Sequence, residues 1–337
     1  MVKVTLQDVA DRAGVSMKSV SNVVRGYEHV SESLRTRVQS AIDELGYRPD
    51  ARGRRLATGR SRMLAFAMPD LRRPYFAELA HVFARVSADR GYGLLLEETG
   101  GTEVGERAVL LGEEAGLVDG MVIHPQAMSA KDLDALRRDT PVVYLGEDQQ
   151  PFGADQVMID NVVAARAAIS HLVSMGRKRI GFLGHEVGAL SQTSRLRLKG
   201  YRDELEQRGR VLDPDLLIAR DGGDAVTAEL ALGAALDNGL DVDALLCRDD
   251  LAAIGALRAL RLRGIEVPGQ VAVVGWDAIE IGMNLAPSLT SVAADTTQLA
   301  ERALDMLIER VDGLDAPGRH ETVGHWLRFG ESAPEPS

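Results

Sequence analysis

The chain holds a single cysteine, Cys247, so no internal disulfide can staple it and cysteine-framework folds are excluded. No apolar run reaches the roughly 18–20 residues that a membrane-spanning helix needs, because charges interrupt even the richest stretches. The opening MVKVTLQDVADRAG lacks the apolar core and small-residue cleavage site of a secretory signal. A reducing cytoplasm is therefore the expected compartment, with no membrane partner. Catalytic signatures are missing too: there is no G-x-x-x-x-G-K-[ST], no H-E-x-x-H and no G-x-S-x-G. Cys247 sits in an apolar run rather than beside a histidine, and His124, His185, His320 and His325 are scattered without ligand spacing. Gly181, Gly184 and Gly188 have the wrong spacing for a nucleotide loop. No enzyme, metal or cofactor is expected.

What is present is a core-forming balance over 337 residues, 45% hydrophobic and 26% charged, with room for two or three domains. The net charge is −11, which by itself argues against nucleic acid as a partner. The distribution reverses that. Residues 1 to 60 carry eleven Lys and Arg against seven Asp and Glu, net +4, and the rest carry 28 against 43, net −15. Electrically the chain is two objects.

Apolar spacing changes period near residue 61. Before it, three short helices are expected, at about 6–13, 17–24 and 32–45, with Thr5, Ser16 and Ser31 as N-caps and Gly14 and Gly46 as stops. The first two have helix-turn-helix spacing, with Val9, Ala10, Val15, Val20 and Val23 suited to a small packed corner. That spacing also suits a three-helix bundle used for partner binding. Six arginines then fall within residues 47–62: Arg48, Arg52, Arg54, Arg55, Arg60 and Arg62. Such a cluster suits phosphate neutralisation, or is a solvated linker. The isolated Leu56 inside it favours the first, as a wedge between base steps.

After residue 60 continuous apolar strands alternate with amphipathic helices, the pattern of parallel sheets covered on both faces. Strands are expected at 63–68, 93–97, 120–124, 142–145, 179–184, 244–247 and 271–275. So many units exceed one open sheet and point to two doubly wound lobes with a cleft; the other arrangement is a single eight-stranded barrel.

TLQDVADRAGVSMKSVSNVVRG resembles the start of the LacI/GalR family of bacterial transcriptional regulators, and Gly46-Tyr47-Arg48-Pro49 with Arg54 and Leu56 resembles its hinge helix. The likeness continues through MPDLRRPYFAEL, MGRKRIGFLGH, RLRLKGY, DDLAAIGALRAL, VVGWDAI and PSLTSV. It implies a helix-turn-helix domain over 1–47, a hinge over 48–60, and a two-lobed, periplasmic-binding-protein-like (type I) α/β effector and dimerisation domain over 61–330 with crossings near 160, 290 and 322. Residues 331–337 would be a short tail without heptads. The second helix becomes the reader of the major groove, with Met17, Lys18 and Asn22 at base-reading positions. Lys can donate to guanine and Asn can pair with adenine, which supports this. Ser16, Ser19 and Ser21 cap the helix or bind phosphate, and Thr5, Leu6 and Arg25 complete the expected DNA contacts with Arg54 and Leu56 from the hinge. Two departures stand out: Asp50 where Asn is usual, and Gly53 where Ala is usual. The glycine costs about 1 kcal/mol of helix propensity.

In the effector domain the resemblance implies that ligand meets loops beyond the strand ends. Arg197 matches an effector-contacting arginine, its alternative being a surface helix position. Asp277 offers a carboxylate to hydroxyls, and Trp276 offers a ring face or is plain core. Asp249 replaces the usual Asn and is expected to accept from ligand donors. Asp70, Tyr75 and Phe76 follow the first strand, the aromatic pair alternatively serving dimer packing, and Glu147 is a further candidate. The acidic set Asp70, Asp249 and Asp277 leans towards a neutral sugar.

Two functions compete at this point. One is a repressor of carbohydrate-utilisation genes, binding a palindromic double-stranded operator at the nucleoid as a homodimer under control of a small sugar effector. The other is a cytoplasmic sugar-binding or sugar-processing protein with a basic protein-interaction module.

Overall fold

The computed structural model describes residues 4–24, 27, 29–47, 60–112, 117–129, 132–133, 140–146, 153–188 and 190–335. Two compact units divide between Ser61 and Arg62. In the first, α1 (Leu6–Ala13), α2 (Met17–Val24) and α3 (Glu32–Leu45) have the boundaries that their caps dictate. Thr5 and Asp8 form a reciprocal capping box, the Asp8 N–H donating to Thr5 Oγ1 at 3.3 Å and the Thr5 N–H to Asp8 Oδ2 at 2.8 Å. Gly14 turns the chain into α2 at φ 64°, a left-handed conformation that costs glycine little. Val9, Ala10, Val20, Val23, Val38 and Ala41 close a small core beneath the three helices.

The second unit contains two six-stranded sheets. The amino-terminal lobe is built on β1 (Met63–Met68), α4 (Pro74–Asp89), β2 (Gly93–Glu98), α5 (Glu103–Leu111), β3 (Gly120–Ile123), β4 (Val142–Leu145) and β5 (Asp155–Ile159). The carboxy-terminal lobe follows with α6 (Asn161–Ser174), β6 (Ile180–Glu186), α7 (Gln192–Gln207), β7 (Leu217–Arg220), α8 (Ala225–Asp237), β8 (Ala244–Cys247), α9 (Asp250–Leu262), β9 (Ala272–Trp276) and β10 (Thr290–Ala294). Then α10 (Thr296–Val311) and β11 (His320–Val323) return to the first lobe, and β12 (His325–Arg328) closes the second. Sheet orders are β11-β5-β4-β3-β1-β2 and β12-β10-β9-β8-β6-β7, parallel throughout except where β12 runs against β10. The barrel alternative is excluded by the two separate sheets.

Three crossings join the lobes, at Asp160, Asp295 and Gly324. The two aspartates cap the helices that begin there, α6 through the Val163 N–H at 3.0 Å and α10 through the Gln298 N–H at 2.8 Å. Adjacent crossings are tied directly, the Asp295 N–H donating to the Gly324 carbonyl at 3.0 Å. Five strands were not expected from the sequence: β5, β7, β10, β11 and β12. They are short or start on polar residues, as in TSVAA and HETV, and the buried Asp155, Gln156, Thr290 and Ser291 there are kept by hydrogen bonds rather than by apolarity. Residues 331–335, set apart in the sequence as a tail, tuck Ser332 and Ala333 into the second lobe. There the Ser332 hydroxyl donates to the Val273 carbonyl at 2.6 Å.

Asp155 fastens the return segment. Its carboxylate accepts from Arg310 Nε at 2.9 Å and NH2 at 3.0 Å, and from Arg319 NH2 at 2.9 Å and its backbone N–H at 2.9 Å. Its burial opposes ionisation, but these arginine bonds win and hold the carboxyl well below the usual carboxylate range. Removing one partner of a buried pair typically costs about 3–5 kcal/mol. Asp155→Asn should therefore destabilise the second unit by about 3 kcal/mol in urea unfolding at pH 7. Because the folded pKa is depressed, Asp155 contributes its stability above the ordinary carboxylate pKa and loses it as pH falls, so the gap between wild type and variant should narrow in acid.

Candidate functional site

In the amino-terminal unit, α2 presents its polar face outward. Met17 is 49% exposed, and Lys18 beside it is exposed as well. Ser21 and Asn22 are half-buried on the same helix. Ser16 acts as the cap, its Oγ accepting from the Ser19 N–H at 3.1 Å and lying 2.9 Å from Ser19 Oγ. Thr5 is engaged with Asp8, and Leu6 packs partly against the small core. Arg25, Arg54 and Leu56, together with Asp50 and Gly53, lie outside the described residues. Tyr27, 56% exposed with its ring edge-on to His29 at 5.8 Å, adds an aromatic surface just past α2 that sequence reasoning did not single out.

In the second unit a cleft between the lobes is lined by Arg73, Tyr75, Phe76, His124, Gln126, Ile159, Thr193, Arg197, Arg248, Asp249, Trp276, Asp277 and Ala294. Counting the space that opens to solvent it measures about 650 Å³, within the range of small-molecule sites. Of the expected residues, Tyr75, Phe76, Arg197, Asp249, Trp276 and Asp277 come together here. Glu147 lies outside the described residues. Asp70 does not line the cleft: Arg72 turns back on it, Nε to Oδ1 at 3.0 Å and NH2 to Oδ2 at 2.9 Å, and that hydrogen bonding lowers its pKa.

Asp249 departs most from its expected role. Oδ1 caps α9 by accepting the Ala252 N–H at 2.8 Å. Oδ2 accepts from Arg73 at 2.9 Å, Arg220 at 2.5 Å and Arg248 at 3.1 Å. Against the cost of burial, those guanidiniums hold the carboxyl down at about 2. An oxygen so encircled has little left for ligand donors, so the acceptor role inferred from its charge is corrected. Arg220 reaches it from the end of β7, passing Gly184, where the strand register shifts between Leu183 and His185. A side chain at Gly184 would meet Arg220 Nε at 3.3 Å on a backbone with φ 101°, which explains the glycine.

Arg73 is, with Arg220 and Arg248, among the residues around Asp249 that sequence reasoning missed. It stands at the N-cap of α4, where Ser, Thr, Asp or Asn is preferred, makes no capping bond, and instead crosses to the other lobe. A second link crosses nearby, from the Glu280 N–H to Glu78 Oε1 at 2.9 Å.

Arg197 is buried rather than a surface arginine. Its Nε donates to Asn161 Oδ1 at 2.7 Å, another nitrogen donates to the Arg248 carbonyl, and the guanidinium lies 4.0 Å over the Trp276 ring. Trp276 is only 2% exposed, with one face taken by the guanidinium, and what remains of it lines the cleft. Asp277 follows it at φ 103°. Burial pushes its carboxyl up to about 7, with Asp249 adding to the rise and Arg197 opposing it. Phe76 meets His124 edge-on at 5.2 Å and completes the aromatic wall with Tyr75. Cys247 is buried and its thiol pushed up, so it is inert, and no group of side chains suited to a metal occurs among the described residues.

A capped helix-turn-helix on one unit and a two-lobed α/β cleft on the other match two described families. Residues 5–50 match the bacterial regulatory proteins of the lacI family, and residues 169–333 match the periplasmic binding protein-like domain. The HTH-type transcriptional regulator AscG of Escherichia coli K12 is 32% identical over 315 residues, covering 92% of this chain and 93% of its own. The chain belongs to the LacI family. The ribose operon repressor of the same strain is 30% identical, covering 91% and 93%. Among solved structures, the transcriptional regulator CelR in complex with cellobiose is 28% identical with a TM-score of 0.71, covering 98% of this chain and all of that one. As a LacI-family member the chain is a DNA-binding transcriptional regulator, and the relatives it matches are regulators rather than enzymes.

The position of Asp277 has a measurable consequence. With a folded pKa raised from 3.8 to about 7, the carboxyl is most easily accommodated at low pH and costs stability as pH rises through that window. Asp277→Asn, which tolerates the same positive φ, should therefore gain on wild type between pH 5 and pH 8 in denaturant unfolding. A constant difference across that range would contradict the burial of this charge.

Proposed function

We propose that this chain represses genes of carbohydrate use by binding a palindromic operator as a homodimer and releasing it when a small sugar enters the cleft. The observation that carries the reading is the joining of two parts in one LacI-family chain: a helix α2 whose exposed face holds Met17 and Lys18, and a cleft edged by Arg197, Asp249 and Asp277. Lys18 and Asn22 would read base edges, Met17 a thymine methyl, and the serines of α2 the phosphates. Arg54 and Leu56 of the hinge would enter the minor groove at the operator centre. One such module covers only a short half-site, which is why two copies are needed. The CelR–cellobiose complex and the ribose repressor support a sugar as effector. Its binding must differ between the DNA-competent and DNA-incompetent lobe arrangements, by a coupling of about 1–3 kcal/mol.

Within the cleft, Arg197, Trp276, Asp277, Tyr75 and Phe76 are the proposed effector contacts. The regulator would work in the cytoplasm at the nucleoid, without catalytic turnover.

Footprinting on genomic fragments tests the reading, and protection of no preferred palindrome at any salt would sink it. Asn22→Ala should weaken the preferred site by about 1–3 kcal/mol while leaving non-specific binding nearly unchanged. Equal losses on both DNAs would remove Asn22 from base readout.

A further inference from the structure

The charges that meet at the floor of the cleft do not balance. Arg73, Arg197, Arg220 and Arg248 bring four guanidiniums, against the carboxylates of Asp249, Asp277 and Glu186, the last 3.0 Å from Arg248. Asp250, next in the chain, accepts from the Ser291 hydroxyl at 2.6 Å and the Ile279 N–H at 2.8 Å, and burial pushes it towards the neutral acid. Asp224, beside Arg220, has its carboxylate in solvent on the Thr227 N–H. With Asp249, Asp277 and Glu186 ionised the excess is one positive charge, and it grows as Asp277 takes up its proton near pH 7. Uncompensated buried charge is costly, so an occupant that supplies the counter-charge is favoured over one that does not.

Hydrogen-bonding capacity points the same way. Guanidiniums only donate, and each has five N–H donors. Arg73 gives NH2 to Asp249, and among the described residues its Nε and NH1 make no bond, which leaves them for another acceptor. Arg248 reaches Ser194 Oγ through Nε at 2.8 Å and shares its remaining nitrogens between Asp249 and Glu186. Both side chains line the cavity, and both converge on the single oxygen Oδ2 of Asp249, so their guanidiniums flank one point reached from both lobes. Of the two carboxylates in the cleft that a neutral sugar would use as acceptors, Asp249 is already spent on arginines.

We propose that the effector is an anionic sugar, carrying a carboxylate or a phosphate, whose acidic oxygens are taken by Arg73 of the amino-terminal lobe and Arg248 of the carboxy-terminal lobe. This rests on the reading of the cleft as the effector site and replaces the neutral sugar expected from the acidic residues alone. An oxyanion is acceptor only, which suits a donor-rich floor, and one held by both arginines bridges the lobes directly. Arg73 would then decide ligand charge, because it is the cation that comes from the opposite lobe and the one with donors to spare.

Calorimetric titration of the full chain with matched series tests this: glucose, glucuronate, gluconate and glucose 6-phosphate, and the corresponding galactose set, each also assayed for operator release. At least one acid should bind about tenfold or more tightly than its neutral parent and release operator, the carboxylate and phosphate arms distinguishing the source of the charge. Arg73→Gln should bring that acid and its parent within about threefold of each other. A neutral parent that binds at least as tightly as its acids and releases operator would overturn the anionic effector and leave the sugar-controlled regulator standing. Release by no member of either series would overturn both.

Discussion

The Asp249 carboxylate is the point on which the second unit turns. It caps a helix of one lobe with one oxygen and gathers three arginines on the other, one of them from the opposite lobe. A buried carboxylate without partners would cost several kcal/mol, and so would each buried guanidinium. The group is therefore stable only as a set, and its membership depends on the lobes being close enough for Arg73 to reach. Lobe arrangement and cleft electrostatics are thus one variable. A ligand that changes what Arg73 is paired with acts on the lobe contact itself, with no need for a long chain of intermediaries.

The crossings make such a dependence workable. Three strands of chain pass between the lobes at Asp160, Asp295 and Gly324, and helix caps and a backbone hydrogen bond bind them into a narrow band. Asp155 with Arg310 and Arg319 anchors the returning segment on the amino-terminal side. Rigid lobes joined by a narrow band have few ways to move, so a single ion pair across the cleft floor can bias the angle between them.

Much of this is legible in the sequence. The three amino-terminal helices were bounded by Thr5, Gly14, Ser31 and Gly46, because caps and left-handed stops are local chemistry written in single residues. The two-lobe architecture followed from alternating apolar strands and helices. The strands β5, β7 and β10 are hidden because their buried polar groups are satisfied by partners remote in the chain, Asp155 by arginines more than 150 residues away, while β11 and β12 are four-residue segments with too few apolar residues to show a pattern. The cleft shows the same limit. Arg197, Asp249 and Asp277 stood out as residue types in telling places, but the state of each is set by neighbours no local pattern reveals. By residue type Asp249 reads as an acceptor for ligand, and in the fold three arginines occupy it. Nothing local in the sequence marks Arg73, and its place at the N-cap of α4 without a capping bond shows only in the structure.

Total charge misleads twice in this chain, and for the same reason. The net −11 conceals a basic amino-terminal segment, and the −15 of the remainder conceals a cleft floor with an excess of guanidiniums. At physiological salt the Debye length is about 8 Å, so the acidic outer surface is screened over distances shorter than a lobe is wide. Inside the cleft, low polarisability leaves the nearest charges dominant. An acidic regulator can in this way present cations to two separate anions, nucleic acid at one unit and a small ligand at the other, while its overall charge discourages contact anywhere else. The sign that decides a partner is the sign within a few ångströms of the site, and it has to be counted there.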